Sequence, residues 1–213
     1  TLKPLVVQRL YNRHESYKVN MIPALMAMIM IMICGFLPAL NIVSEKEAGT
    51  IEQINVTPVR KWLFILAKLI PYWVIALIDF SICLLLSWLL YGITSVGSIA
   101  LLFVFAIALA IVFSSIGLII SNYSDSLQQA MLVMWFALVC MMLLSGLFTP
   151  VRSMPDWAQI LTYANPVRHY MDAARTIFIR GSAFSGVVLQ FSILAAMGII
   201  LASLAVKSYK KNE

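Results

Sequence analysis

Asp79 is the residue whose type and position most require an explanation, because it lies near the middle of a long apolar run. A charged side chain at bilayer depth costs several kcal/mol on most estimates, so this carboxylate should face protein or water. Cys83 and Ser87 follow at four-residue steps, which on a helix gives one weakly polar stripe. Three roles stay open for Asp79: a protonated or hydrogen-bonded packing contact, a contact along a substrate path, or a proton relay.

Methionine is concentrated in two apolar runs. Its unbranched, polarizable side chain adapts to varied apolar shapes. The pattern therefore predicts either gap-filling between helices or a pliable lining for hydrophobic substrates. The residues concerned are Met21, Met26, Met28, Met30 and Met32 in one run and Met131, Met134, Met141 and Met142 in the other.

A cluster of carboxylates lies in residues 41–68, the longest charged interruption between apolar runs. Ile51 and Ile54, three residues apart, would form a small apolar face of a helix, with Glu45, Glu47 and Glu52 around it. Taken by itself, this arrangement is typical of a solvated elbow between two membrane helices.

The sequence does not indicate catalysis by this chain or a bound metal. Its two histidines, His14 and His169, belong to no Ser/His/Asp or Cys/His arrangement. The cysteines at 34, 83 and 140 fall inside apolar runs, and their spacing fits neither a zinc site nor a disulfide framework. No P-loop pattern occurs, so the chain is not expected to hydrolyse ATP itself.

The composition indicates a protein whose solvent is lipid. Hydrophobic residues make up 62% of the chain and charged residues 11%, whereas a soluble domain is nearer half apolar and a quarter charged. The net charge of +6 is spread over loops between apolar runs. Anionic lipid headgroups are therefore a better partner for it than nucleic acid.

The apolar runs predict an all-α integral membrane protein with about five spans. Pro38 is expected to kink or end the first span. A stripe of small residues on the third span predicts close helix–helix contact, namely Ala106, Ala110, Ser114, Gly117 and Ser121. The spans are predicted at about residues 22–40, 70–90, 99–120, 130–147 and 184–206.

Helix signals inside residues 41–68 predict a short helix, an elbow, a second short helix and then a long one. Ser44 and Thr50 each have a Glu or Gln three residues later, which is a capping-box pattern. Gly49, between them, suits a left-handed helix end, and Thr57 precedes a proline as an N-cap would. Residues 58–70 read as a basic amphipathic helix that lies in the headgroup plane.

Residues 149–181 predict a hairpin that dips partway into the membrane. Two short helical patterns, at 156–161 and 167–179, are too short or too polar to span and are separated by Asn165 and Pro166. Non-helical backbone at that depth requires a protein cover. Surface charge is the simplest interpretation of Arg152, Asp156, Arg168, Asp172 and Arg175.

Three stretches resemble the permeases of ABC-2 type transporters, in family order and over nearly the whole chain. The stretch NIVSEKEAGTIEQINVTP resembles their segment between the second and third spans, where E-K-E-x-G-T-I-E-Q-I-x-V-T-P is typical. RLYNRHES with MIPALMAMI is similar to the exit from their periplasmic domain. LLSGLFTPVRSMPDWAQILTYANPVRHYMDAAR resembles the extracellular hairpin before their last span.

The resemblance implies a domain plan and an orientation. Residues 1–20 would end an extracellular domain, 21–206 would form the membrane domain, and 207–213 would be a cytoplasmic tail. Residues 41–68 become a cytoplasmic coupling region and 149–181 an extracellular hairpin. The chain would then be the C-terminal portion of a longer permease that also has a first span and an extracellular domain. Lysine and arginine counts do not fix the orientation, so it rests on the resemblance.

The resemblance also implies roles for individual residues. The coupling region would seat in a groove of an ATP-binding subunit, and the hairpin would form an outer gate. The implied ATPase-coupling residues are Glu45, Glu47, Gly49, Thr50, Ile51, Glu52, Ile54, Pro58 and Arg60. The candidate substrate-path residues are Met30, Asp79, Met134 and Met141, and the candidate gate residues are Pro150, Pro155, Trp157, Asn165 and Pro166.

The implied function is that of a permease in a bacterial inner-membrane exporter of the multidrug type, which moves hydrophobic or amphipathic molecules by ATP-driven alternating access. The implied partners are an ABC ATP-binding subunit that holds ATP and Mg, a second permease copy or a paralogue, membrane lipids and a periplasmic adaptor protein. Two alternatives stay open. One is an ABC-2 exporter of lipid-linked polysaccharide, and the other is a proton-coupled secondary transporter that uses Asp79. Such transporters usually show inverted repeats, and the sequence has no internal repeat.

Overall fold

The computed structural model describes residues 17–49, 61–92, 95–146, 151–182 and 184–208. Within these ranges the chain is helical and contains no strand, so the predicted all-α membrane class is confirmed. The helices are α1 (Tyr17–Ile31), α2 (Leu37–Glu47), α3 (Lys61–Tyr91), α4 (Ile99–Tyr123), α5 (Leu127–Leu143), α6 (Asp156–Tyr163), α7 (Pro166–Arg180) and α8 (Val188–Ser208).

Four helical segments among the described residues are long and apolar enough to cross a membrane: Met21–Glu47, Trp62–Tyr91, Ile99–Tyr123 and Val188–Ser208. The remaining predicted span, at residues 130–147, corresponds to α5, whose 17 residues reach about 25 Å and stand at the lower limit for a crossing. Successive long helices alternate in direction. The α2 end, the α4–α5 turn and the α8 end therefore share one end of the bundle, opposite α6 and α7.

The first membrane helix differs from its prediction. A π-helical turn, Met32–Phe36, joins α1 to α2, and the Leu37 N–H bonds to the Met32 carbonyl. Pro38 follows directly after that turn, inside the continuous helix. The helix therefore continues to Glu47, past the expected end, and Ser44 lies inside it. The predicted capping box at Ser44 is wrong.

The third helix also differs from its prediction. We expected a headgroup-plane helix over 58–70 and a separate span after it. Instead, α3 runs unbroken from Lys61 to Tyr91 with Pro71 inside it. Membrane helices tolerate internal proline because neighbouring groups can satisfy the freed carbonyl. The amphipathic stretch from Lys61 onward is thus the first part of the span.

Helix α4 occupies the centre of the bundle, where Phe105, Leu109 and Phe113 are buried. All members of the small-residue stripe on α4 are buried too, which confirms the predicted helix–helix contact. At Gly117, α4 comes close to the π-helical turn. A Cβ placed there would lie 2.4 Å from the Gly35 carbonyl oxygen in the π-helical turn, closer than any real Cβ contact. These two glycines let the backbones touch.

Helix α7 is inserted among the membrane helices, since it packs against α1, α4 and α8. Its apolar face is completely covered, and Val167, Tyr170, Met171, Ala174 and Ile177 are at most 1% exposed. The two predicted hairpin helices therefore exist as α6 and α7. The apolar face of the second packs against α1, α4 and α8.

Candidate functional site

Asp79 is half-buried on α3, about 27 Å along the helix from Lys61. The thiol of Cys83 lies 3.9 Å from its Oδ2 atom, and Ser87, one turn further, is buried. The predicted polar stripe is thus present. In the described part of the chain, no lysine or arginine lies within ion-pair distance of this carboxylate. Its neighbour Ile78 is 55% exposed, so Asp79 lies at the edge of an uncovered apolar helix face.

The three methionines predicted to line a substrate path differ in their exposure. Met30 and Met134 are each 1% exposed, inside the chain's own core, whereas Met141 is half-buried. The Met134 methyl group lies against Gly35, where a Cβ would come 2.8 Å from it. Both buried methionines fill space between helices in this conformation, which is the first of their two predicted roles.

Part of the predicted coupling region lies within the described residues, and it consists of Glu45, Glu47 and Gly49. Glu45 forms a salt bridge with Lys68 of α3. Glu47 accepts a hydrogen bond of 2.7 Å from the Leu127 N–H of α5. Gly49 has φ +72°, which confirms the predicted left-handed helix end. The other predicted coupling residues, Thr50, Ile51, Glu52, Ile54, Pro58 and Arg60, lie outside the described residues.

Sequence reasoning missed two residues at the same end of the bundle, Lys46 and Asn122. The Lys46 ammonium group donates to the Asn122 carbonyl at 3.3 Å and to the Ser124 carbonyl at 2.9 Å. The Asn122 amide nitrogen donates to the Ala205 carbonyl and to the Ser208 hydroxyl, at 3.3 and 2.8 Å. The Asn122 pattern N-Y-S reads as a glycosylation acceptor, so its local sequence gave no sign of this structural role.

The predicted gate residues divide into a buried part and an exposed part. Asn165 caps α7, because its side-chain oxygen accepts the Val167 N–H at 3.0 Å, and Pro166 is the first residue of that helix. The Asn165 amide also donates to the Met141 carbonyl at 2.6 Å, which ties α7 to the last turn of α5. Trp157 is 66% exposed on α6, after Pro155. Pro150 lies outside the described residues.

Charged hairpin residues contact the protein rather than only solvent. The Arg168 guanidinium lies 4.1 Å from the Tyr163 ring centroid and donates to the Thr162 hydroxyl. Arg175 donates from both terminal nitrogens to the Gly146 carbonyl at 3.4 Å, just past the end of α5. Burial lowers the pKa of Arg175, and the nearby Asp172 carboxylate opposes that shift. The hairpin is therefore tied to α5 at two points.

Two apolar grooves open on the side of the bundle. One, of about 420 Å³, lies between α3, α4 and α7 and is lined in part by Trp88, Phe103 and Phe178. The other, of about 340 Å³, lies between α4 and α8. Neither groove is lined by a predicted substrate-path residue, and both open where lipid chains would lie.

The chain is similar in sequence to a known protein family and to several known proteins. A family described as ABC-2 type transporter matches residues 4–179. The chain is 32% identical over 179 residues to the probable multidrug ABC transporter permease YbhR of Escherichia coli K12, covering 84% of this chain and 49% of that protein. To the probable multidrug ABC transporter permease YbhS of the same organism it is 27% identical over 208 residues, with coverages of 96% and 55%. To the inner membrane transport permease YhhJ, also of Escherichia coli K12, it is 30% identical over 174 residues, with coverages of 80% and 46%. The chain spans about half the length of these relatives.

Proposed function

Since this chain belongs to the ABC-2 type transporter family and forms part of a membrane transport permease, we propose that it moves hydrophobic or amphipathic small molecules out of the cell. In this proposal the driving force is ATP hydrolysis on a partner subunit, which holds ATP and Mg. Two relatives named as probable multidrug permeases support the substrate class. One relative named as an inner membrane permease supports the same location for this protein.

The observation that carries the proposal is the arrangement of helix ends. The segment at residues 50–60 connects two membrane helices at the end of the bundle where α2, the α4–α5 turn and α8 meet. An ATP-binding subunit docked at that end could act on several helices through a single segment. We place this end in the cytoplasm and the α6–α7 hairpin on the outside.

Alternating access would follow from closure of two ATP-binding subunits, each of which moves one permease. A second copy or a paralogue would complete the path, with Asp79, Met30, Met134 and Met141 along it. Asn165 and Pro166 would fix the outer gate, and Pro155 and Trp157 would present its exposed surface. A periplasmic adaptor could dock at the same outer face.

Co-purification with the ATP-binding protein encoded beside the permease tests the partner. We expect the ATP-binding protein to follow the wild-type permease and to be lost from the Glu52→Lys variant, because charge reversal would repel basic residues in the docking groove. Asp156→Lys is the matched control. It reverses an exposed charge at the opposite end and should leave the association unchanged.

The results separate two failures. Retention of the ATP-binding protein by Glu52→Lys would reject the role of Glu52 while leaving the transporter assignment intact. If the wild-type permease brings down no ATP-binding protein, the ATP-driven mechanism fails.

Substitution of Asp79 tests the substrate path. With Asp79→Asn we expect export of a cationic dye to fall on the order of tenfold, which corresponds to about 1.4 kcal/mol, because the charge that attracts the dye is removed. Export of a neutral dye should stay near wild type. Efflux of the two dyes from cells that express equal amounts of permease measures the difference, and equal export of both by the variant would indicate a packing role.

A proton-coupled transporter is the second candidate, and the half-buried Asp79 without a cationic partner among the described residues favours it. It would export without an ATP-binding subunit, and its rate would follow the proton gradient. Export that survives loss of the ATP-binding protein and stops on collapse of the proton gradient would select this candidate.

A further inference from the structure

Two consecutive residues at the end of α2 hold both sides of the α4–α5 turn. Lys46 donates to carbonyls on the α4 side, at 3.3 Å to Asn122 and 2.9 Å to Ser124. Glu47 accepts from the Leu127 N–H on the α5 side at 2.7 Å. These contacts join residues 76 to 80 positions apart in the chain.

The charges match the helix ends that they contact. The last carbonyls of a helix carry partial negative charge and the first N–H groups carry partial positive charge, and both lack intrahelical partners. From the end of α2, Lys46 therefore binds the carbonyl end of α4, and Glu47 binds the amide end of α5. The two residues satisfy two helix termini at once. Hydrogen bonds with a charged partner are stronger than neutral ones.

The contacts extend from the turn to the remaining long helices. The Asn122 side chain binds the last turn of α8 through the Ala205 carbonyl and the Ser208 hydroxyl. One residue before Lys46, Glu45 forms a salt bridge with Lys68 of α3. Any displacement of the α2 end thus acts on α3, α4 and α5 directly, and on α8 through Asn122.

We propose that Lys46 and Glu47 are positioning residues that transmit displacement of the α2 end, which directly precedes residues 50–60, to the α4–α5 turn. This inference rests on the proposed coupling function. Gly49, two residues after Glu47, ends the helix, so the transmitting residues stand directly before that segment. Glu47 then acts inside the permease, and the contact with the ATP-binding subunit falls to residues after Gly49.

The exposure of these contacts makes the proposal testable. Lys46 and Glu47 are both exposed, and exposed ionic contacts contribute little to global stability. Variants at these positions should therefore fold and insert normally. A loss of coupling in them can be separated from a loss of protein by measuring melting temperature and membrane content.

The experiment compares Glu47→Ala, Glu47→Gln and Lys46→Ala with the wild type, and uses Asp125→Ala as a control at an exposed acid of the same turn. Hydrogen exchange of the peptide covering residues 124–130 is measured in the permease alone and in its complex with the ATP-binding protein, with and without ATP. Co-purification of that protein is measured in parallel. Glutamine keeps an acceptor oxygen for the Leu127 N–H, and alanine does not.

In the permease alone we expect the Leu127 amide to exchange on the order of tenfold faster in Glu47→Ala and near the wild-type rate in Glu47→Gln. In the complex we expect ATP to change exchange of the turn in the wild type, Glu47→Gln and Asp125→Ala. That change should be lost in Glu47→Ala and Lys46→Ala, while all variants still bring down the ATP-binding protein.

Three results overturn the inference. The first is that ATP leaves hydrogen exchange of the α4–α5 turn unchanged in the wild type, or that it still changes this exchange in Glu47→Ala. The second is loss of the ATP-binding protein from both Glu47 variants, which would make Glu47 a direct contact. The third is an unchanged Leu127 exchange rate in Glu47→Ala without the partner. Failure of the wild-type permease to bind the ATP-binding protein would reject the proposed function. Hydrogen exchange at Leu127 in the permease alone would still show whether Glu47 binds the Leu127 N–H.

Discussion

Gly117→Ala is expected to destabilise the helix bundle strongly. The new Cβ would lie 2.4 Å from the Gly35 carbonyl oxygen, a backbone atom that cannot rotate away. The π-helical turn and α4 would have to separate, and overpacking of this kind costs about 3 kcal/mol at the upper end of its usual range. For a chain of this size the melting temperature should fall by roughly 6–12 °C, measured on detergent-solubilised protein.

Gly198→Ala provides a matched control on another membrane helix. A Cβ there would lie 3.5 Å from the nearest side-chain atom, that of Ile111, which is ordinary van der Waals contact. This variant should melt within a few degrees of the wild type. Equal melting temperatures for the two variants would show that the α4 crossing at Gly117 is looser than the structure has it.

Asn165→Ala is expected to release the hairpin from α5. The change removes the cap on the Val167 N–H, worth about 1 kcal/mol, and leaves the Met141 carbonyl without its partner, worth about 1–3 kcal/mol. Because Asn165 is 5% exposed, water cannot easily replace the lost amide. We expect the melting temperature to fall by roughly 4–16 °C and limited proteolysis to cut between α6 and α7 more rapidly.

Asn165→Ser separates the two contributions. The serine hydroxyl can still cap α7 but is too short to reach Met141, so an intermediate melting temperature is expected. If the alanine variant melts with the wild type, the bond to Met141 does not hold the hairpin in place. If serine is as damaging as alanine, the cap contributes little.

Signals within one helix were read correctly from the sequence. The small residues on α4 recur at helical spacing, and close contact is the main use of such a stripe in lipid. Asn165 and Pro166 were predicted only to separate two short helices, and the structure shows in addition that Asn165 caps the second of them. Gly49 adopts the left-handed conformation that helix ends favour.

Helix continuity was predicted less well, because local signals compete with the membrane. Pro38 and Pro71 would end or kink a helix in water, where freed backbone groups can bind solvent. In a bilayer, continuing the helix satisfies more backbone groups than stopping it. Ser44 with Glu47 forms a valid capping pattern, but the helix passes through it.

Long-range partners were not predictable from the pattern at all. Nothing near Lys46 indicates carbonyl acceptors at Asn122 and Ser124, and nothing near Glu47 indicates an amide donor at Leu127. Their proximity arises from the packing of α2 beside α4 and α5. Sequence reasoning identified Glu47 as a functional carboxylate, but it could not identify a partner within the same chain.

The π-helical turn at Met32–Phe36 has a consequence for rotational phase. Buried residues in the first membrane helix recur every four residues, at 26, 30, 34, 38 and 42 and at 23, 27, 31, 35, 39 and 43. In an α-helix each four-residue step drifts by about 40°. The extra residue in the π-helical turn reduces the accumulated rotation about the helix axis by about 100°. Both series of side chains therefore continue to face the bundle. The next members of the two series are Lys46 and Glu47. The π-helical turn, more than one helical turn before them, thus sets the side of the helix on which they lie.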